Sequence, residues 1–382
     1  MTGSTEHRSG RATVIPVAIA VTLIVGVWLL PDLTPHENLP DVGYTQVRGV
    51  VVRTGIADEV GQTGVDVRIV EGTDVGTVVF AAIQTGFIAG LPGGPMIRVG
   101  DEVVVTRYEG EAGGFNAIGD VWRIPIVAAL TIVFALFVSL VGGWRGVRSL
   151  LALALTLFVV TKVVIPLLLR GFDPIPLAVG AGALVTVVTL TLTEGLRWTT
   201  LAASLGTVVA LLVTAAIAAV TASAARFSPA QGSEEVLYLF PLLGDTVDLG
   251  ALLMAATIFG ALGVLDDVTV TQAASVVALR RADPSSSRRQ VFVRAMDVGR
   301  SHIAATVNTL VLAYLGAGLP LLLLFAIGGE SALFVANGEL VAVEIVRALA
   351  GSIGIVAAVP LTTAIAAAIL PEPAVIRLEP AA

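Results

Sequence analysis

Two adjacent carboxylates, Asp266 and Asp267, stand in the stretch FGALGVLDDVTVTQAASVVALRR, residues 259–281. Their neighbours are small and apolar, and Arg280 and Arg281 close the stretch. If it is a helix, Asp267 lies roughly 20 Å from Arg280, and Leu249 lies roughly 27 Å the other way. Both carboxylates then sit deep in hydrocarbon, where an ionisable group is costly and marks a proton path or a cation site. Adjacent helical residues point in different directions. Gly260, Gly263, Asp267, Thr271 and Ala274 fall on one stripe, and small residues let a second helix come close. That pattern places Asp267 at a helix contact or a cavity and makes it the first candidate. Asp266 shares its side with Leu262, Thr269 and Ala273 and is the second. The plain alternative for either is a structural hydrogen bond to a neighbouring helix.

Other polar groups lie in apolar runs. In GRSHIAATVNTLVLAYLGAGLPLLLLF, Asn308 is the most expensive uncharged side chain, so a partner is expected for it. Thr306 is expected to bond back to its own helix, as threonines do. Pro320 should kink or open its turn. His302 reads as a surface residue. Glu344 and Arg347 are three residues apart and can pair on one helix face, either neutralising each other or guiding an ion. Together, Asp267, Asp266, Asn308, Glu344 and Arg347 form the candidate ion, proton or substrate site.

Elements that hold such groups must be membrane helices. Of the 382 residues, 56% are hydrophobic and 13% are charged, against about 25% charged in soluble domains. The mean hydropathy is +0.93. A spanning helix needs about 20 mainly apolar residues. The runs 14–30, 125–141, 149–169, 175–192, 199–220, 249–279, 303–327 and 345–370 meet that need, so about eight spans are expected. Arginines gather before the first run, at 145–148, at 197 and through 280–300, while 328–344 carries glutamates and no basic residue. The positive-inside rule then puts both termini, 1–13 and 371–382, on the cytoplasmic side of the membrane.

Residues 41–123 differ from the rest. They hold 11 acidic residues against 6 arginines, a balance of −5 within a chain total of −7. Short runs rich in valine and threonine, such as YTQVRGVVVRTG and EVVVTRY, alternate with glycine turns and read as strands. We expect a small extracytoplasmic all-β domain there, an antiparallel barrel or sandwich, with an OB or SH3-like barrel in view, serving as a platform or holding a protein partner. The rest of the fold class is an all-α polytopic bundle, with seven helices over 125–370.

Several chemistries are excluded or disfavoured. There is no cysteine, and His7, His36 and His302 are far apart, so neither a metal nor another cofactor is expected. No Walker loop, nucleophile elbow or HExxH pair is present. An aspartyl intramembrane protease needs carboxylates from two helices, and a second such aspartate is missing. The chain thus reads as no enzyme. Its acidic balance gives no nucleic-acid footprint.

The stretches GGWRGVRSLLALALTLFVVTKVVIPLLLRGFDP, EGLRWTTLAASLGT, GALGVLDDVTVTQAASV and the two C-terminal helices resemble the YibE/F-like family of bacterial multispanning membrane proteins, over roughly 125–370. The resemblance implies that the family's signature aspartate falls on Asp267 and its next polar position on Asn308. The chain departs from the family at Asp266, where many members are apolar. The family has no settled biochemical activity, so the resemblance implies architecture. The expected function is a transporter or permease of an unknown small solute or ion, whose buried carboxylate couples to protons or a cation. The alternative is a scaffold or envelope assembly factor that sits in the lipid bilayer and acts through its β-domain.

Overall fold

The computed structural model describes residues 44–57, 63–83, 97–108, 114–227, 234–243, 246–329 and 331–369. The expected anchor 14–30 and both tails lie outside these residues. The chain divides into two compact units, one of residues 37–141 and the other containing 142–382.

Five strands build the first unit: β1 (Tyr44–Ala57), β2 (Thr63–Ile69), β3 (Val78–Ile83), β4 (Glu102–Tyr108) and β5 (Phe115–Val121). They close into a barrel in the order β1-β2-β3-β5-β4. All pairs are antiparallel except β3 with β5. Of the two expected barrel types this is the OB-like one, a five-stranded Greek-key closure. The β-branched alternation explains the interior. Val51, Val65, Val67, Ile69, Val103 and Val105 point inward and are buried, while the intervening positions face out. Closure leaves little exposed edge.

Charges on the outer face are paired. Arg53 holds the buried Asp66 at 2.5 Å, and Arg107 holds Asp74 at 2.7 Å. The Arg107 guanidinium beside Asp74, and the Arg123 guanidinium beside Asp120, lower both carboxyls below their usual range. Tyr44, Tyr108 and Phe115 stand opposite one another on β1, β4 and β5. Their ring centroids are 5.9 and 4.6 Å apart.

A long helical run follows. Helix α1 (Ile124–Val159) passes through a π-helical turn (Val160–Val164) into α2 (Ile165–Leu169). The sequence predicts a loop at 142–148. Helix continues there instead, broken only at Gly143, whose φ of 55° and ψ of −141° lie outside the helical region. Glycine tolerates that backbone because it has no Cβ.

The second unit continues with α3 (Pro174–Glu194), α4 (Trp198–Ala225), α5 (Glu234–Leu243), α6 (Leu249–Ala282), α7 (Arg288–Ala317), α8 (Leu319–Gly328), α9 (Ala332–Asn337) and α10 (Glu339–Ile369). Five helices of the described residues are long and apolar enough to cross a membrane, or six if α7 and α8 form one span, bent by 60°. The bend falls at Gly318, with Pro320 in the first turn of α8. A proline there has no amide hydrogen to place and is harmless, whereas it breaks a helix from within. Two boundaries differ from expectation. The expected loop between 279 and 303 is helical from Arg288, because Ser287 and Gln290 form a capping box and a polar helix outside the membrane gives no hydropathy signal. Helix α10 begins at Glu339, so Glu344 and Arg347 lie inside it.

Helices α4, α6 and α10 pack against one another, with α3 and α7 on their flanks. Glycine permits the close approach. A Cβ on Gly206 of α4 would overlap Thr362 Oγ1 of α10, and one on Gly354 of α10 would overlap Thr214 Oγ1 of α4. Small residues at such contacts let dispersion act over two backbones, the main attraction available to helices in lipid. The α6–α7 turn is tied by Asp283, which accepts from Ser285 Oγ (2.6 Å), Ser286 Oγ (2.7 Å) and Arg294 Nη1 (3.2 Å). The serine hydroxyls, then Arg294, pull its carboxyl well below the ordinary value of 3.8.

The packing can be tested at two glycines. Gly354→Ala should destabilise the protein by about 1–3 kcal/mol through overpacking. Gly180→Ala, where nothing lies within 4 Å, should be neutral or stabilising by up to about 1 kcal/mol. Thermal unfolding in detergent compares them. For Asp283, a lowered folded pKa means stabilisation that is present above 3.8 and is lost as pH falls through the folded value. The stability lost in Asp283→Ala should therefore be seen at neutral pH and shrink on acidification below 3.8. A pH-independent difference would show that the carboxylate charge plays no part.

Candidate functional site

Helix α6 sends its two aspartates in opposite senses. Ile258, Leu262, Leu265, Thr269, Gln272 and Val276 are buried, and Asp266 stands partly buried among them. Ala256, Gly260, Gly263, Asp267, Thr271 and Ala274 are exposed among the described residues. The expectation of a helix contact or cavity is therefore corrected for Asp267. Elsewhere on that stripe Gly260 approaches the Tyr314 hydroxyl of α7, and Gly263 borders a cavity. Helices α3, α4 and α10 pack on the other side, where the larger apolar side chains of α6 interdigitate with theirs and gain dispersion contacts.

Asp266 is held from two helices. Thr186 Oγ1 of α3 donates to Asp266 Oδ1 at 2.9 Å, and Thr207 of α4 lies against the same carboxylate. Thr207 and Thr269 share a hydrogen bond at 2.7 Å in which either can be the donor, and Thr269 Oγ1 lies 3.1 Å from Asp266 O. Thr186, Thr207 and Thr269 are fully buried. Asp266 is 17 residues from the start of α6 and 16 from its end, about 25 Å from each, the middle of the helix.

The carboxylate borders a cavity of about 750 Å³. The second half of α1, the π-helical turn and α2 form one wall, and α3 and α6 form the other. Ser149, Thr156, Thr189 and Thr193 are its other polar lining residues, and Leu153, Leu168, Phe259 and Leu262 are among its apolar ones. Asp266 is the one ionisable residue in the lining among the described residues. The π-turn at Val160–Val164 displaces this wall from regular helix, and such insertions recur at functional sites.

The remaining candidates lie elsewhere. Asn308 and Thr309 are exposed on α7, and Asn308 has no partner among the described residues, against expectation. Thr306 bonds back to His302 O at 2.9 Å, as expected. His302 is half-buried rather than a surface residue, with Nε2 unpaired among the described residues. Arg347 Nη1 donates to Glu344 Oε1 at 2.5 Å. Glu344 and Tyr314 face a second cavity of about 540 Å³ between α7, α8, α9 and α10. The five candidates are thus not one constellation.

Other residues of the same helices matter more than their types suggested. Gln272 is a lone amide in an apolar helix, a visible signal, and it proves to be buried. Its Nε2 donates to Ala295 O of α7 at 2.9 Å and to Thr363 Oγ1 of α10 at 2.7 Å. Thr186, Thr207 and Thr269 carried no signal, because a threonine in a membrane helix usually satisfies itself.

The family model for YibE/F-like proteins matches residues 130–372. The chain belongs to the YibE/F-like family. The match covers the helices that build both cavities and leaves the barrel outside it. No curated protein and no solved structure matches the chain. In this YibE/F-like protein Asp266, and not Asp267, is the carboxylate that the fold turns toward the cavity.

The Gln272 bonds should be measurable. In a double-mutant cycle of Gln272→Leu and Thr363→Val, the coupling should be about 1 kcal/mol, within the range for polar contacts between membrane helices. Reversible unfolding in mixed micelles measures it. Strict additivity would show that the bond contributes nothing.

Proposed function

We propose that this YibE/F-like protein is a multispanning transporter or permease whose Asp266 takes up a proton or a cation during solute movement. The observation that carries this reading is the carboxylate at the middle of a long apolar helix, on the wall of a 750 Å³ cavity. A charged side chain at the centre of a membrane helix costs about 2.5–3.5 kcal/mol on insertion scales. Two threonines stabilise Asp266, yet they leave it open to the cavity. The broken pair α7–α8, bent by 60°, adds support, since discontinuous helices recur at transporter sites. The Glu344–Arg347 pair beside the second cavity would serve as a gate.

The topology fits eight spans in a bacterial inner membrane. The helical run from Ile124 to Leu169 has 46 residues, roughly 69 Å of helix, more than twice the hydrocarbon thickness. Divided at Gly143, it supplies two spans. With the bent pair as one and the segment 14–30 as the anchor, the count is eight. Arg145, Arg148, Arg197, Arg280, Arg281 and Arg288 then share the cytoplasmic side with both termini, and the barrel is extracytoplasmic.

A scaffold role is the second reading. It is favoured by the row of Tyr44, Tyr108 and Phe115, of which Tyr44 and Phe115 are exposed, because aromatic side chains are enriched where partners bind.

Proteoliposomes with an entrapped pH dye separate these readings. Asp266→Asn should abolish solute-dependent proton movement, while Asp267→Asn should retain it. Loss in Asp267→Asn alone would reverse the assignment of the carboxylate. Proton movement unaffected by either substitution would leave transport without its carboxylate, and no proton movement in the unsubstituted protein would favour the scaffold.

A further inference from the structure

The lining of the large cavity also constrains what it can hold. Its threonine hydroxyls have committed their protons. Thr156 Oγ1 donates to Ala152 O at 3.0 Å, Thr193 Oγ1 to Thr189 O at 3.0 Å, and Thr189 Oγ1 to Thr186 O at 3.3 Å. Each keeps lone pairs that can accept. Asp266 accepts from Thr186, and an ionised carboxylate has about four acceptor positions. Among the described residues, no lysine, arginine, histidine, asparagine, glutamine, tryptophan or tyrosine lines the cavity. Ser149 is the one side chain there with an uncommitted hydroxyl proton among the described residues. The polar surface is thus almost wholly an acceptor surface.

An anion in this cavity would face a carboxylate with almost no donor to hold it. A neutral acceptor such as a ketone would be little better served. An ammonium group brings three N–H donors and a positive charge, and so matches the surface. The volume points the same way, to an organic solute. A bare metal ion needs six or more oxygens close around it, whereas no metal-binding group of acidic or histidine side chains is found among the described residues. The 750 Å³ cavity falls in the range of about 300–1,000 Å³ typical of small-molecule sites. Phe259 and Asp266 both line it. They are two helical turns apart on one face of α6, roughly 10 Å along the axis.

We infer that the cavity binds an organic ammonium ion, its charged head on Asp266 and its apolar body reaching toward Phe259, Leu262 and Leu153. The inference rests on the transport reading only in naming this molecule as the solute; binding itself can be tested apart from flux. Asp266 compensates the ammonium charge, and the apolar wall replaces the water lost by the body. The threonine oxygens take the remaining N–H groups. No covalent step is involved.

Three probes of one shape decide the matter on the detergent-purified full chain: phenethylammonium, 2-phenylethanol and phenylacetate, titrated by calorimetry alongside sodium and potassium chloride. The ammonium should bind saturably, at least about tenfold tighter than the alcohol, with phenylacetate silent, as a charge-assisted contact requires. Asp266→Asn should remove that preference. Ala256→Phe, which fills the cavity from a lining position without touching the carboxylate, should weaken ammonium binding while the variant unfolds at the wild-type temperature. Equal binding of all three organic probes, or ammonium binding indifferent to both substitutions, would overturn the inference. So would saturable sodium or potassium binding at Asp266 with no ammonium binding. If no ammonium binds while Asp266-dependent proton movement persists, the substrate class falls and transport stands. If ammonium binds through Asp266 and never crosses the bilayer, the site stands and transport falls.

Discussion

Hydrocarbon offers no partner to a polar group, so a chain that crosses it must satisfy each one from within. Most of the bundle can be understood from this constraint. Backbone groups are met by helix formation, and the threonines mostly by their own carbonyls. Asp266 and Gln272 are met by neighbouring helices. Their bonds tie α6 to α3, α7 and α10. These ties need helices that approach closely. That approach is possible because Gly206 and Gly354 give room to Thr362 and Thr214 on the facing helices.

The same constraint separates the two aspartates chemically. Asp266 has hydroxyls at its carboxylate and a cavity in front of it. Asp267, one residue on, faces away from α3, α4 and α10. A step of one residue along a helix turns a side chain by about 100°, enough to exchange the interior of the bundle for its outside. Asp267 is exposed although it shares a stripe with Gly260 and Gly263, so small residues permit a close contact but do not choose where along the stripe it forms.

The barrel obeys a different rule. It is stabilised by water-driven burial of valine and isoleucine, and ion pairs on its outside join β1 to β2 and β4 to the β2–β3 turn. Its order β1-β2-β3-β5-β4 depends on which edges meet at closure. The two barrel types differ in such pairings and share the same local alternation. Valine-rich runs between glycine turns therefore announced strands without distinguishing the topology.

Hydropathy is local and additive, so the sequence by itself determined that this is a membrane protein, where most of its helices run, and that a small β-domain precedes the bundle. Pro320 announced the bend between α7 and α8, because its chemistry acts within its own turn. Single-chain patterns could also say that Asp266 and Asp267 face different ways. They could not say which way is inward. Burial at α6 is set by where α3, α4 and α10 pack, by contacts between residues 80 or more apart in the chain, such as Thr186 with Asp266 and Gln272 with Thr363. The cavity, its acceptor-lined wall and the separation of Asn308 and Glu344 from Asp266 likewise follow from helix placement, which only the tertiary structure decided.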